Sequence, residues 1–163
     1  MVTKKLLSGL LMAVLATLVI AVPVLGVGET YRATLVGANE VVPVTTMATG
    51  EAVFTVNADG TLSYRLTVSN ITDVTAAHIH LAPVGVNGPV VIGLFGGPAK
   101  PGVFTGVLNE GVLMAEGLGG PLFGMTLDRL ITEMNAGRTY VQVHTMAHPG
   151  GEIRGQIAIQ MMP

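Results

Sequence analysis

The chain has 163 residues, contains no cysteine, and only 11% of its residues are charged. The absence of cysteine excludes a disulfide scaffold, a cysteine nucleophile, a zinc ribbon and an iron–sulfur protein. Lysine and arginine together number 8 against 10 acidic residues, which gives a net charge of −2. Because this balance offers no basic surface to a phosphate backbone, we expect no nucleic-acid partner.

What the chain does contain is apolar and rich in turn-forming residues. Half of the residues are hydrophobic, and there are 22 glycines and 9 prolines. Glycine and proline together stay below the share of roughly 25–30% at which disorder becomes the default. The length is a prior for one domain. We therefore expect a single folded domain with many turns.

The N-terminal segment has the pattern of an export signal. Two lysines precede an uncharged apolar run from Leu6 to Val24, and small residues follow it. This order predicts a signal peptide over residues 1–26, cleaved after Gly26 or after Gly28, and a mature domain over residues 27–163. The apolar run is also long enough to span a bilayer, so an uncleaved N-terminal anchor is the alternative. In both cases the domain is exported to a periplasmic, cell-surface or secreted location, and it contacts a membrane only through an uncleaved leader.

Short β-rich segments separated by Gly, Pro, Asn and Asp recur along the rest of the chain. This spacing is typical of an all-β sandwich or barrel. The predicted strands lie near residues 30–36, 51–57, 61–69, 75–81, 89–94, 102–108, 139–145 and 152–160.

Two of the connections have the residues of tight turns. Asn57-Ala58-Asp59-Gly60 predicts a hairpin between the second and third strands. Between the last two strands, Pro149 presets φ for the first central position of a turn, and Gly150 suits the positive φ of a type II turn. The last two strands are therefore expected to pair antiparallel.

One segment has the period of a helix. Its apolar residues follow the spacing i, i+3, i+4 and i+7, at Leu127, Leu130, Ile131 and Met134. Thr126 can cap the start of this helix, and Gly137 can provide its left-handed end. We expect this short helix to pack as a lid over an open end of the strands.

The four histidines lie in two short segments that both read as strands. Side chains alternate between the two faces of a strand, so Ile79 in the core places His78 and His80 together on the opposite face. By the same alternation, Val143 in the core places His144 outside. If the two strands are neighbours, three imidazoles share one outer face.

A third strand adds charged groups to this face. Ile153 is expected to face the core, so Glu152 and Arg154 point to the opposite side. The sequence therefore predicts one polar binding cluster on the outside of a sheet, formed by His78, His80, His144, Glu152 and Arg154.

This cluster has two interpretations. Three imidazoles from adjacent strands can offer three nitrogens to one copper or zinc ion. In that case the predicted ligands are His78, His80 and His144, with His148 or Met146 as a candidate fourth.

The other interpretation needs no metal. Glu152 and Arg154 would pair with each other and orient the histidines by hydrogen bonds. An arginine beside a dication also carries an electrostatic cost, which favours this metal-free network.

Several motifs in a fixed order resemble one known family. They are Gly37-Ala38-Asn39-Glu40-Val41-Val42-Pro43, Ala77-His78-Ile79-His80, Asn87-Gly88-Pro89-Val90-Val91, Tyr140-Val141-Gln142-Val143-His144-Thr145 and Pro149-Gly150-Gly151-Glu152-Ile153-Arg154-Gly155-Gln156. Together they are similar to the chordin-domain (CHRD) family, in its stand-alone microbial form. The resemblance implies a Greek-key antiparallel β-sandwich, similar to superoxide dismutase or an immunoglobulin domain, in an extracellular setting. It also places the five residues of the binding cluster at positions of the family's motifs.

Two activities of related proteins are not carried over. Chordin itself antagonises growth factors of the bone-morphogenetic class, but this chain lacks the cysteine-rich modules that flank CHRD domains there. The H-x-H strand is similar to that of copper/zinc superoxide dismutase, which needs six histidines and an aspartate for its two metals. This chain has four histidines, so a dinuclear dismutase is not expected.

Three hypotheses for the function therefore stand. The first is an exported, non-catalytic binding or structural module that presents the cluster to a protein or envelope partner, with self-association as a further interaction. The second is a mononuclear copper or zinc binding protein. The third is an enzyme built on that metal, which would need three protein ligands and an open water position.

Overall fold

The computed structural model describes residues 28–160, and the predicted signal peptide lies outside the described residues. The described chain forms eight strands and one α-helix, α1 (Leu127–Asn135). The strands are β1 (Thr30–Val36), β2 (Thr49–Val56), β3 (Leu62–Leu81), β4 (Val90–Phe95), β5 (Lys100–Leu113), β6 (Thr139–Thr145), β7 (Ile153–Gln156) and β8 (Ala158–Ile159). None of the helices within this range is long and apolar enough to cross a bilayer.

Five of the strands close into an antiparallel barrel. Neighbours around the barrel are β1, β2, β3, β6 and β7, and β7 pairs with β1 to complete the ring. The other strands extend it, because β4 and β5 pair with β3, and β8 pairs with β1. The prediction of an all-β antiparallel fold with one short helix is confirmed. The Greek-key β-sandwich is corrected to this closed barrel with additional strands.

The length of β3 explains the closure. Its first half pairs with β2 and its second half pairs with β6, so one strand of 20 residues joins what would otherwise be two sheets. The sequence predicted two strands here, because turn-forming residues separate them. Instead, Asn70 and Asp73 adopt φ values of 55° and 52°, a region that Asn and Asp tolerate better than most residues. The strand therefore continues through this segment, with shifts in its register against β5.

Both predicted hairpins are present. The β2–β3 turn is closed by a hydrogen bond from the Asn57 amide to the Thr61 carbonyl, and β6 pairs antiparallel with β7. The predicted positive φ at Gly150 is wrong, since the residue with positive φ is Gly151, at 123°. The Gly151 amide donates to the His148 carbonyl at 3.0 Å, which closes a turn with Pro149 and Gly150 at its central positions, as predicted. Since Gly150 has no positive φ, the turn is not of type II.

The predicted helix is confirmed over Leu127–Asn135, with all four of its periodic apolar side chains buried in the core. Thr126 precedes the helix, but its side chain makes no capping hydrogen bond, and Gly137 has a φ of 66° just after the helix. The hydroxyl of Tyr31 lies 2.9 Å from Oδ1 of Asn135, so the helix packs beside the start of β1.

The core fills the inside of the barrel with side chains that alternate along each strand. On the strands that carry the predicted cluster, the buried inward residues include Ile79, Val143 and Ile153. These are the residues that the alternation assigned to the core. Their neighbours in sequence consequently lie on the outer face.

Candidate functional site

The site lies on the outer face of β7, β6 and β3, which are adjacent in that order. Arg154 on β7 is opposite Gln142 on β6, which in turn is opposite His78 on β3. Tyr140 lies opposite His80, and His144 lies opposite Ala76. The alternation of side chains therefore brings the polar residues of three strands to one face.

This face is not the exposed surface that the sequence suggested. Residues 37–48 and 82–89 form two loops that lie over it and contribute hydrogen-bond partners to it. Arg154 is only 1% exposed, and Glu152 and His80 are each 7% exposed. The polar residues therefore lie in a layer between the barrel and its loops, where each needs a partner within the protein.

Three histidines converge at the β3–β6 side of this layer. One ring nitrogen from each of His78, His80 and His144 lies within 4.8 Å of those of the other two. For three nitrogens with that spacing, there is a common position that lies no more than 4.8/√3, about 2.8 Å, from each of them. Bonds from imidazole nitrogen to zinc are about 2.0–2.1 Å long, so small rotations of the rings suffice to reach a common ion.

Backbone carbonyls orient two of the three rings. Nδ1 of His80 donates to the Gly88 carbonyl at 2.9 Å, and Nδ1 of His144 donates to the Pro149 carbonyl at 3.0 Å. A carbonyl can only accept, so the proton of each neutral ring lies on Nδ1 and the lone pair on Nε2. Histidines that ligate metals are oriented by this same kind of contact from their second nitrogen.

The nitrogens that remain have no partner. Nε2 of His80, Nε2 of His144 and Nδ1 of His78 are all buried and accept or donate no hydrogen bond within the described chain. Burial lowers the pKa of all three histidines, and it lowers that of His80 to about 4. The rings are therefore neutral at pH 7, and a nitrogen lone pair of each ring is free to bind a metal ion.

Tyr140 separates the histidines from the buried arginine. Its ring stacks on His80 with 4.9 Å between the centroids, and the guanidinium carbon of Arg154 lies 3.4 Å from the same ring centroid. Its hydroxyl accepts from the Gly88 amide at 3.1 Å. Because β6 lies between β7 and β3, Arg154 and His80 contact Tyr140 from opposite sides.

Arg154 and Glu152 hold the two loops rather than each other. Arg154 donates to the Val86 carbonyl at 2.9 Å and to Oδ1 of Asn87 at 3.1 Å, both in the 82–89 loop. Glu152 accepts from the hydroxyls of Thr46 and Thr145, each at 2.7 Å. The predicted pairing of Glu152 with Arg154 is therefore wrong, because each finds closer partners in the covering loops and neighbouring strands.

A further carboxylate enters the layer from the 37–48 loop. Oε2 of Glu40 accepts from Nε2 of Gln142 at 2.6 Å, and burial raises the pKa of Glu40 above its usual value. Gln142 Nε2 also donates to the Gly150 carbonyl at 3.0 Å. Sequence reasoning gave Glu40 no role, although it lies in the Gly37-Ala38-Asn39-Glu40-Val41-Val42-Pro43 motif.

Of the two candidates for a fourth ligand, His148 is not among the histidines whose nitrogens lie within 4.8 Å of one another, and Met146 lies on the surface. Met146 is 72% exposed, and His148 lines a cavity beside Glu40.

Sequence reasoning also missed Gly88, whose carbonyl orients His80. The signal for it was present in the Asn87-Gly88-Pro89 motif, and a Cβ at Gly88 would overlap the carbonyl of Leu81.

Fold and site together define a small antiparallel barrel whose loop-covered outer face holds a buried three-histidine cluster. The sequence pattern of the CHRD domain matches residues 31–157. The chain therefore belongs to the CHRD family, whose domains are typically extracellular. Searches of curated proteins and of solved structures found no match.

Proposed function

We propose that this CHRD domain is an exported, non-catalytic module that binds one copper or zinc ion through His78, His80 and His144. The proposal is carried by the close approach of the three rings, one nitrogen of each lying within 4.8 Å of the others, and by the one buried, unpartnered nitrogen that each ring retains. A buried polar atom without a partner costs about 1–3 kcal/mol, so three of them together are unfavourable unless something binds there.

The surroundings of the cluster favour a metal over a hydrogen-bonded network. Arg154 could have donated to the histidines, but its hydrogen bonds go to the 82–89 loop and the Tyr140 ring lies between it and His80. The burial of Arg154 and Glu152 also weighs against direct display of the whole cluster to a protein partner.

The donor set indicates the class of metal. Neutral imidazole suits zinc and copper, whereas magnesium and calcium prefer oxygen ligands. No cysteine is available in the chain to select for a softer site. The orientation of His80 and His144 by backbone carbonyls means that little ordering of these side chains is needed when an ion binds.

Metal titration of the purified protein tests this proposal. We expect one equivalent of Zn²⁺ or Cu²⁺ to bind, and the free energy of unfolding to rise by about 2.7 kcal/mol at an ion concentration 100 times the dissociation constant. Elemental analysis after mild dialysis should find the same ion.

The fourth histidine provides a matched control. His148→Ala should bind the ion as the unchanged protein does, whereas the double variant His78→Ala/His80→Ala should lose stoichiometric binding and remain folded. Absence of metal from the purified protein, together with no binding on titration, would overturn the proposal.

Export is proposed on the N-terminal pattern and is tested separately. We expect N-terminal sequencing of the mature protein to begin at Val27, after cleavage at Gly26. Recovery of chains that start at Met1 or Val2 from membrane fractions would instead indicate an uncleaved anchor.

A further inference from the structure

We infer that an ion held by His78, His80 and His144 keeps one exchangeable coordination position, open to solvent on the β4 side, where a small anion binds. This inference rests on the proposed function. It concerns the part of the ion's coordination sphere that the three histidines do not fill.

Three directions around the cluster are filled by protein. Tyr140 stacks against His80 from the β6 side, the 82–89 loop reaches His80 through Gly88, and the β6–β7 hairpin reaches His144 through Pro149. None of these contacts uses the unpartnered nitrogens. These groups enclose the cluster on three sides but provide no further ligand to an ion.

On β4, Val90 lies beside His80, but the part of β4 beside His78 carries no side chain. The residue paired with His78 on β4 is Gly93, and directly paired residues of adjacent strands project to the same face. Gly93 is exposed, and a Cβ built on it would meet no atom within 4 Å. Ala76, which precedes His78 on this face and lies opposite His144, contributes only a methyl group.

The burial of the histidines decreases along the strands, away from the 82–89 loop. His80, beside Tyr140 and the 82–89 loop, is buried, whereas His78 and His144 are half-buried. The less buried end of the cluster is therefore the one where Ala76 contributes only a methyl group and where His78 has Gly93 as its β4 partner.

The chemistry of the position defines its ligand. Three neutral imidazoles leave the two positive charges of a dication uncompensated, and four-coordinate zinc sites with three protein ligands hold water or an exogenous group in the fourth position. The opening beside Gly93 is flanked by a backbone and a methyl group, which suits a small monodentate anion better than a bulky one.

Cobalt substitution with azide as the probe tests the inference. We expect Co²⁺ to bind the protein and its visible absorption to change on titration with azide. Gly93 has no positive φ, so a β-branched residue is tolerated there, and Gly93→Val should narrow the opening. In that variant the affinity for Co²⁺ should stay within about twofold, while the affinity for azide falls at least about tenfold.

Gly96→Val is the matched control. Gly96 is also exposed with open space around its Cβ position, but it lies after the end of β4. This variant should bind azide as the unchanged protein does.

The outcomes separate this inference from the proposed function. If Co²⁺ binds but azide leaves its spectrum unchanged, or if Gly93→Val retains full azide affinity, the open position is overturned and the metal site stands. If none of Co²⁺, Zn²⁺ and Cu²⁺ binds, both proposals fail together.

Discussion

The two sides of the barrel wall use polar residues in opposite ways. On the β1–β2 side and along the first half of β3, charged outer residues pair in solvent, as Arg32 does with Glu51 and Arg65 with Glu110. On the β6–β7 side, Arg154, Glu152 and Gln142 are covered by loops. The strands follow the same alternation on both sides, and the difference lies in whether loops cover the outer face.

This difference decides where unsatisfied groups accumulate. Exposed polar atoms can bond to water, whereas covered ones depend on the protein. Five buried side-chain atoms of the described residues have no hydrogen-bond partner, and three of them belong to the histidine cluster. The covered side therefore carries the candidate function, and the exposed side carries ordinary surface charge.

The strongest test of the comparison removes the arginine that holds the covering loop. In Arg154→Met the apolar stem remains, but the Val86 carbonyl and Asn87 lose their buried donor. We expect the free energy of unfolding to fall by about 3 kcal/mol. Urea denaturation measures it, and a loss below about 1 kcal/mol would mean that the loop is held by other contacts.

A smaller effect is expected from the pH dependence of His80. Its folded pKa of about 4 lies below the unfolded value near 6.5, so between these values the unfolded state binds more protons. The free energy of unfolding therefore falls as the pH drops through this window, with His80 contributing about 2 kcal/mol between pH 7.5 and pH 5.

The variant His80→Asn measures this contribution, because its amide can still donate to the Gly88 carbonyl. We expect metal-free His80→Asn to lose less stability on acidification than the unchanged protein, by urea denaturation in the presence of a chelator. The raised pKa of Glu40 has the opposite effect on how the free energy of unfolding changes with pH. Because Glu40 is present in both proteins, its contribution cancels from the comparison. Equal losses in the two proteins would contradict the burial of a neutral His80.

The smallest effect is expected on the exposed side. Arg65→Met breaks the ion pair with Glu110, in which both side chains are more than half exposed. Such pairs contribute little, so the free energy of unfolding should change by no more than about 0.5 kcal/mol. It is the matched control for Arg154→Met, and similar losses in the two variants would remove the distinction between the two sides.

Much of the fold could be predicted because its signals are local. The 57–60 turn, the helix at Leu127–Asn135 and the pairing of β6 with β7 all follow from residues close in the chain. The closed barrel did not follow, since the segment around Asn70 and Asp73 reads as a turn although β3 continues through it. The choice between barrel and sandwich depends on that single long strand.

The candidate site could likewise be predicted only in part from the sequence. Alternation around Ile79 and Val143 predicted that the imidazoles share a face, and the structure places them there. The partners of that face could not be predicted, because the Arg154 acceptors and the Glu152 donor Thr46 lie 67 to 106 residues away in sequence. No local pattern indicates which loop will cover which strand.

The order of apolar and polar residues along each strand was sufficient to determine which side chains face inward, because the two-residue period of a strand is a property of the backbone itself. Only the tertiary structure decided that two loops cover the polar face and leave three imidazole nitrogens unpartnered beneath them. Covering a face brings together segments that are distant in the chain, and burial removes the water that would otherwise satisfy those nitrogens.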